Sequence, residues 1–221
     1  MKFKIISTQP QIYDSFLTTG LISRGINKKI IEIELYNLHD FAFDKHKSID
    51  DSPYGGGAGM VLRVDVVSNA IKKLKGRKKI KTILLTPQGK VFNQADARRL
   101  AKEKELIFIA GRFEGYDERI RNLVDEEISV GDFVLTSGDL PTMTIIDSTS
   151  RHVPGFIEKE ASIQEESFVE NLLEYPQYTR PEVFNDEKVP EVLLSGNHAV
   201  IAKWRKEKQL EKTKKRRPEL L

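Results

Sequence analysis

Three glycine-bearing segments are the parts of this chain whose residue types and spacing best suit the binding of a small molecule. TPQG at 86–89 and GRFEG at 111–115 each follow an apolar run that is typical of a buried strand. The third segment, 125–141, holds two glycines around a short apolar run at 133–135, which predicts another strand. Glycine lets backbone approach a ligand closely, and open α/β sheets bind ligands at the carboxyl ends of their strands. We therefore expect these segments to form one small-molecule site.

The other chemistry-bearing residue types argue against several classes of protein. The chain has no cysteine, which excludes disulfides, Fe–S clusters and thiol nucleophiles. Its four histidines lie far apart in the sequence, with no spacing typical of a metal site. The glycine run at 55–59 does not lie between a strand and a helix, as a dinucleotide fingerprint does, and we interpret it as a mobile loop. The chain has no Gly-x-Ser-x-Gly or P-loop motif that would favour a hydrolase or an NTPase.

Charge is distributed unevenly along the 221 residues. The whole chain has a net charge of +3, whereas residues 201–217 alone carry nine Lys or Arg against two Glu. A strongly basic tail on a body that is otherwise slightly acidic suggests a polyanionic partner. The alternative, a solvated lysine-rich helix, is common for such runs and stays open.

Neither export nor membrane insertion is indicated by the sequence. The first ten residues, MKFKIISTQP, lack the apolar core and the cleavage site of a signal peptide. No apolar run approaches the roughly 18 residues that a membrane span requires. We therefore expect a cytoplasmic protein that has no membrane partner.

Strands and helices alternate over the first 110 residues, which predicts an α/β domain with a largely parallel sheet. The predicted strands are 1–7, 30–36, 80–85 and 106–110, and the predicted helices are 12–19, 64–74 and 94–103. Further along, residues 168–173 suit a short helix, and the last helix begins near 196–197, with Ser195 or Asn197 as its N-cap. The residues alone thus indicate a ligand-binding α/β domain joined to a basic helical module suited to RNA or DNA.

Eight motifs, taken together and in order, resemble the bacterial tRNA (guanine-N1)-methyltransferase family TrmD, a member of the knotted SPOUT methyltransferase superfamily. The resemblance covers the whole chain, and eight motifs in the right order are far more specific than any one of them. They are DDSPYGGGAGM at 50–60, TPQG at 86–89, GRFEGYDER at 111–119, DEEISVGDFVLTSGDLP at 125–141, IDSTSRHVPG at 146–155, EYPQYTRPEV at 174–183, LLSGNH at 193–198 and RRPELL at 216–221.

The resemblance implies a fold and a domain organisation. The family fold is a deep trefoil-knotted α/β methyltransferase domain with a mostly parallel sheet, followed by a small C-terminal helical domain. For this chain it implies an S-adenosylmethionine-binding domain over 1–160, a linker over 161–174 and a helical tRNA-binding domain over 175–221. It also implies a homodimer with the active site at the subunit interface.

By the same resemblance, the three glycine-bearing segments hold S-adenosylmethionine in a bent shape. The matching residues are Leu85, Thr86, Pro87, Gln88 and Gly89 in the first segment, Gly111, Phe113 and Glu114 in the second, and Val130, Gly131, Asp132, Phe133, Val134, Leu135, Gly138 and Pro141 in the third. Ser137 is a mild departure, because some members have glycine there. The family also depends on Mg²⁺; Glu114 is a candidate participant, although no ligand set is visible in the sequence.

The resemblance further implies a reaction, the transfer of a methyl group to N1 of guanine 37 in tRNA. The tRNA partner is an anticodon stem-loop that carries G36 and G37. Neutral guanine keeps a proton on N1, so a base must remove it, and the charge that develops on O6 needs a cation or donor nearby. Arg151 matches the family arginine in the second role, and Glu166 occupies the position of the general base. The best-known members have aspartate there, so this chain keeps the carboxylate and adds a methylene.

Four further residues are candidates for substrate binding. His46 and Asp50 lie in a charged segment whose side chains suit hydrogen bonds to base edges, and Ser195 and Asn197 stand at the start of the last helix. As single residues, however, such charged and capping side chains are more often structural or solvated.

Two alternative functions and one alternative role stay open. The chain could be a different knotted methyltransferase that modifies ribose 2′-OH, or an RNA-binding protein without catalysis. Glu165 and Glu166 could both be solvated linker charges. Successive side chains point in different directions, so at most one of them should reach N1. Alignment with the family selects Glu166, with Asp50 as the next candidate for the base.

Overall fold

The protein divides into two compact units, Met1–Glu158 and Lys159–Leu221. The structure is a computed structural model and describes residues 1–158 and 165–221. Residues 161–164 of the predicted linker therefore lie outside the described residues.

A five-stranded sheet forms the centre of the first unit. Its strands are β1 (Lys2–Ser7), β2 (Glu32–Asn37), β5 (Lys81–Val91), β6 (Glu105–Ala110) and β7 (Glu126–Ser129), in the order β2-β1-β6-β5-β7. Every pairing is parallel. The predicted α/β class with a mostly parallel sheet is thus confirmed. Two short strands, β3 (Asp50–Asp51) and β4 (Val61–Leu62), pair antiparallel outside this sheet.

Helices cover both faces of the sheet. They are α1 (Asp14–Thr18), α2 (Gly20–Asn27), α3 (Val64–Lys75), α4 (Gln94–Leu100) and α5 (Asp139–Ser150), with 3₁₀ helices at Pro10–Tyr13, Leu38–Phe41 and Glu118–Leu123. Among the residues that the structure describes, none of the helices of either unit is long and apolar enough to cross a membrane.

Alternating strand residues supply the two halves of the core. In β6, Leu106 and Phe108 pack on one side, with α5, whereas Ile107 and Ile109 pack on the other side, with α3. Successive side chains of a strand point to opposite faces, and a parallel sheet covered on both faces is apolar at every position. This explains why β6 and the first half of β5 appear in the sequence as continuous apolar runs.

Two predicted elements are absent. Residues 133–135 form no strand, and the third glycine-bearing segment instead follows β7, which ends at Ser129. Residues 168–173 form no helix, because Phe168, Glu170 and Asn171 have φ of 71°, 50° and 58°. Those values lie in the left-handed region, which a right-handed helix excludes.

Within residues 165–221, the second unit contains two helices and a hairpin. Helix α6 spans Glu191–Leu194 and α7 spans His198–Arg216, followed by a 3₁₀ turn at Pro218–Leu220. Asn197 is the N-cap of α7, since its side chain accepts a hydrogen bond from the Val200 amide at 3.3 Å. Strands β8 (Val183–Phe184) and β9 (Glu187–Lys188) form a hairpin that was not predicted. Its two turn residues, Asn185 and Asp186, both have positive φ, as in type I′ turns.

A buried carboxylate joins the start of α5 to the first strand. Asp139 is 1% exposed, and it accepts hydrogen bonds from Ser7 Oγ at 2.7 Å and from the Tyr13 hydroxyl at 3.0 Å. Burial and the adjacent Asp139 charge raise the pKa of Tyr13, so its hydroxyl remains a donor. Both donors are needed, because a buried carboxylate that lacks partners is costly.

We predict that Tyr13→Phe lowers the free energy of unfolding by about 1–3 kcal/mol, because Asp139 loses one of its two buried donors. Urea denaturation at fixed protein concentration measures this loss. The matched control is Tyr54→Phe, whose ring is fully exposed and whose change should stay within about 0.5 kcal/mol. Equal midpoints for the two variants would contradict the role given to the Asp139 network.

Candidate functional site

The three glycine-bearing segments meet at the carboxyl edge of the sheet and enclose a cavity of about 140 Å³. Ser7 of β1 lies opposite Ala110 of β6 at this edge, and the segments continue from the ends of β6 and β7 and from a bulge in β5. The lining residues are Leu85, Thr86, Pro87, Gly111, Arg112, Phe113, Glu114, Gly115, Tyr116, Ile128, Ser129, Val130, Gly131, Phe133, Val134, Leu135, Thr136, Ser137, Gly138 and Pro141. The arrangement is the one expected of a ligand site in an open α/β sheet.

A bulge in β5 brings the first segment to the cavity. Leu85 and Lys90 both pair with Ile128 of β7, so the four residues between them leave the ladder and return to it. A side chain on Gly89 would put its Cβ 2.5 Å from the Ile128 amide nitrogen. The glycine therefore lets the bulge close against β7, while Thr86 and Pro87 reach the cavity.

The second and third segments touch through glycine backbone. The Gly138 amide donates to the Gly111 carbonyl at 2.8 Å. A Cβ on Gly138 would lie 3.0 Å from Ala110 Cα, and a Cβ on Gly111 would lie 2.1 Å from the Tyr116 ring. Tyr116 in turn donates its hydroxyl to the Leu85 carbonyl. These contacts tie all three segments together and leave no room for a side chain at either glycine.

Thirteen of the sixteen residues predicted for the cofactor line the cavity, and three do not. Gln88 is exposed and its amide oxygen accepts from Arg121. Gly89 is used in the bulge, and Asp132 is exposed. These three residues are therefore exposed or have a local structural role, and none of them lines the cavity.

Seven lining residues were not singled out from the sequence for this site. They are Arg112, Gly115, Tyr116, Ile128, Ser129, Thr136 and Ser137. All seven lie inside the quoted motifs, so membership of a motif could have suggested them. Ser129 has a visible local reason, since its hydroxyl donates to the Gly131 carbonyl at 3.0 Å and accepts from the Gly131 amide at 3.2 Å. Gly131 has φ of 150°, which favours glycine.

The third segment forms an apolar wall that is open to solvent. Phe133 is 56% and Val134 86% exposed, although both side chains line the cavity. Large apolar groups exposed together mark ligand or partner surfaces. The apolar run that suggested a strand is therefore part of the candidate site.

Arg151 lies at the opposite end of α5 from the cavity. The helix begins directly after Gly138, which lines the cavity, and Arg151 is its C-cap. Twelve helical residues span about 18 Å. Within one copy of the first unit, Arg151 is therefore not part of the cavity wall.

The two adjacent carboxylates, Glu165 and Glu166, belong to the second unit and have different surroundings. Glu165 accepts a hydrogen bond from the Tyr175 hydroxyl at 2.7 Å and forms an ion pair with Arg205 at 3.7 Å. Glu166 is half-buried, and its carbonyl accepts from the Val169 amide at 3.3 Å. Glu165 is thus exposed to solvent and at the same time paired within its own unit.

The four candidate substrate-binding residues lie outside the cavity wall. His46 is exposed on a turn that Asp44 holds by accepting from the His46 and Ser48 amides; the Ser48 bond, with smaller contributions from other donors, lowers the pKa of Asp44. Asp50 pairs with Leu62 in the short antiparallel ladder. Ser195 donates to the Val192 carbonyl at 2.7 Å, and Asn197 caps α7. The last two thus have structural roles at the start of α7.

No group of three or more acidic or histidine side chains is arranged to hold a metal ion within residues 1–158 and 165–221. Glu114, the candidate participant in Mg²⁺ binding, lines the cavity and lies against Gly59, where an added Cβ would be 2.2 Å from its Cγ. The Glu114 amide also donates to the Met60 carbonyl at 3.1 Å. The glycine run at 55–59 therefore contacts the cavity wall.

Comparison with known proteins agrees with this geometry. The model of the family described as tRNA (Guanine-1)-methyltransferase TrmD matches residues 1–221. The chain belongs to the TrmD family. The resemblance inferred from the eight motifs is thereby confirmed, and the TrmD match leaves no part of the sequence outside it.

Curated relatives of the chain are similar over nearly their whole length. A tRNA (guanine-N(1)-)-methyltransferase from Clostridium novyi is 52% identical, with 100% of this chain and 91% of that protein covered. Proteins of the same name from Citrifermentans bemidjiense and Mycoplasmopsis pulmonis are 51% and 49% identical, and the matches cover 90% and 96% of their lengths.

We predict that Gly111→Ala weakens S-adenosylmethionine binding by about 10-fold or more, because the new methyl group displaces Tyr116 from the cavity wall; overpacking costs about 1–3 kcal/mol. Titration calorimetry measures the affinity. The control is Gly20→Ala, where φ is 64° but no atom lies within 4 Å of the added Cβ. If both variants bind like the wild type, the close approach at Gly111 does not shape the cofactor site.

Proposed function

We propose that this protein transfers a methyl group from S-adenosylmethionine to N1 of guanine 37 in tRNA that carries G36 and G37. The full-length match to the TrmD family carries the proposal. The cavity at the carboxyl edge of the sheet supports it independently, because it suits a small-molecule cofactor. A tRNA substrate also gives a reason for the basic tail of α7.

The cavity fits S-adenosylmethionine in two respects. Gly111 and Gly138 keep side chains out of the floor, and apolar walls at Leu85, Leu135 and Pro141 offer surface for an adenosyl group. The residues that would hold the cofactor are the thirteen predicted residues in the wall. When bound, S-adenosylmethionine supplies an electrophilic methyl group on a sulfonium.

Glu166 is the residue to which we assign proton removal from N1. The carboxylate would take the N1 proton, so that the nitrogen lone pair can bond to the methyl carbon. The bond from that carbon to sulfur breaks at the same time, and its electron pair stays on sulfur in the product, S-adenosylhomocysteine. Its longer side chain relative to aspartate extends the reach by one methylene. Arg151 stabilises the negative charge that develops on O6 of the guanine.

The position of Arg151 supports an active site that two subunits share. Arg151 lies about 18 Å along α5 from the cavity edge at Gly138. An arginine that acts on the guanine beside the cofactor of its own copy would have to span that distance. A homodimer, in which Arg151 or Glu166 of one chain serves the cavity of the other, removes this conflict.

Membership of the family supports three more proposals. The first unit contains the family's trefoil knot, Mg²⁺ assists the reaction with Glu114 as a participant, and the enzyme works in the cytoplasm, where a tRNA-modifying enzyme meets its substrate.

We predict that Glu166→Gln lowers single-turnover methylation of a G36–G37 transcript by about 10²–10⁴-fold, the usual contribution of a general base, while tRNA and cofactor affinities survive. Glu166→Asp should keep substantial activity, because it retains the carboxylate. The modified base is identified by nucleoside chromatography, which separates N1-methylguanine from 2′-O-methyl nucleosides. A 2′-O-methyl product would overturn the proposed function itself.

The matched control for this change is Glu182→Gln, an exposed carboxylate of the second unit. Its activity should equal that of the wild type. Near-wild-type turnover by Glu166→Gln would show that the base lies elsewhere, and Asp50→Asn would then be tested.

The basic tail should supply affinity for tRNA rather than chemistry. The Lys212 ammonium already has an acceptor within its own unit, since it donates to the Glu174 carbonyl at 2.9 Å. Within the described residues no carboxylate pairs with Lys214, Lys215 or Arg216 at the end of α7. These three are the cations most available to phosphates.

We predict that replacing Lys214, Lys215 and Arg216 with Ala weakens tRNA binding and reduces the slope of log K against log salt by about 2 to 3, as three fewer counterions are released. Filter binding across a salt series measures the slope. The same number of cations is removed in a control, Lys72, Arg77 and Lys79 to Ala, which should leave the slope unchanged. An unaltered slope for the tail variant would favour the solvated-helix alternative.

A further inference from the structure

In the second unit, two side chains contact Glu165, the residue next to the proposed base, and form a group of three with it. The Tyr175 hydroxyl donates to Glu165 Oε2 at 2.7 Å. The Arg205 guanidinium lies 4.6 Å from the centre of the Tyr175 ring and 3.7 Å from the same carboxylate oxygen. Arg205 belongs to α7, so the group connects the start of the 165–175 segment to that helix and to the segment's own end.

Further contacts hold the rest of this segment. The Glu174 amide donates to Ser167 Oγ at 3.1 Å, which closes the segment between its two ends. The Leu173 amide donates at 2.9 Å to the hydroxyl of Thr213, a fully buried residue of α7. Together with the bond from Lys212 to the Glu174 carbonyl, these contacts fix the backbone on both sides of Glu166.

We infer that Tyr175 and Arg205 act as positioning residues: they hold the Glu165 carboxylate and thereby orient the backbone from which the Glu166 side chain projects. This inference rests on the proposed function, in which Glu166 removes the N1 proton. Neither Tyr175 nor Arg205 needs to contact the substrate for this role. A general base must lie within hydrogen-bond reach of its proton, and a displacement of about 1 Å costs about 10²-fold in rate.

The chemistry of Glu165, Tyr175 and Arg205 favours the contacts among them. Burial and the hydrogen bond to Glu165 raise the pKa of Tyr175, so the hydroxyl stays protonated and keeps donating. Arg205 is held by stacking on the ring, a geometry in which guanidinium and aromatic face attract. Its Nε is buried and has no hydrogen-bond partner among the described residues. The Tyr175 ring therefore holds Arg205 in place beside the carboxylate.

Tyr175→Phe tests the inference, because it removes one hydroxyl and keeps the ring on which Arg205 stacks. We expect kcat to fall by about 10-fold, with KM for tRNA, KM for S-adenosylmethionine and the thermal midpoint close to wild type. The matched control is Tyr36→Phe in β2, since Tyr36 also donates to a glutamate, Glu34, at 2.6 Å. This control loses the same kind of bond and should keep the wild-type kcat.

Two variants of Glu165 complete the test. Glu165→Gln keeps an oxygen that can accept from Tyr175 and should stay near wild type, whereas Glu165→Leu should lose at least as much kcat as Tyr175→Phe, because it also removes the contact with Arg205. The double variant, Tyr175→Phe with Glu165→Leu, should be no slower than Glu165→Leu alone, because Glu165→Leu already removes the contact with Tyr175. Multiplicative losses, or losses that appear in KM for tRNA, would overturn the inference.

These outcomes separate the inference from the proposed function. A Glu166→Gln variant with the wild-type rate would contradict the role of Glu166 as general base. The positioning role of Tyr175 and Arg205 would then be rejected with it. An inactive Glu166→Gln variant together with a fully active Tyr175→Phe variant would support Glu166 as the general base and contradict the positioning role of Tyr175.

Discussion

The close approach of three backbone segments at Gly111 is the constraint on which the candidate cofactor site depends. Gly138 donates its amide to the Gly111 carbonyl at 2.8 Å, and the Tyr116 ring occupies the space that a Gly111 side chain would fill. The next residue, Asp139, has a buried carboxylate that accepts hydrogen bonds from Ser7 and Tyr13. Where the segments meet, the cavity is therefore defined by backbone and by one buried polar network, whereas the exposed wall is formed by side chains such as Phe133.

The sequence predicted the parts of the fold that follow from burial on both faces. Strands β5 and β6 were recognisable, because a parallel sheet between two helical layers requires continuous apolar runs. The same reasoning failed at 133–135, where the apolar side chains are exposed in the cavity wall. Apolar character in a ligand wall and in a buried strand looks the same in one sequence. The helix at 168–173 failed for a different reason, since positive φ at Phe168, Glu170 and Asn171 is not visible in residue types that favour helices.

The candidate site was predicted in its segments and missed in its details. Glycine positions and family motifs located the cavity, because close backbone approach leaves a mark in sequence. The bulge of β5 left no such mark. It explains why Thr86 and Pro87 reach the cavity while Gly89, also outside the ladder, closes the bulge against Ile128. Tyr116 was also missed, because its role comes from a contact with the Leu85 carbonyl, 31 residues away in the chain.

Glu165 and Glu166 illustrate what only three-dimensional contacts can decide. Apart from the family resemblance, which selects Glu166, two identical neighbouring side chains carry no signal that separates their roles. In the structure, one carboxylate oxygen of Glu165 faces both the Tyr175 hydroxyl and the Arg205 guanidinium. A carboxylate held in this way by its own unit has less freedom to act on a substrate. These contacts are the basis of the proposed division of roles, in which Glu165 holds the backbone and Glu166 removes the N1 proton.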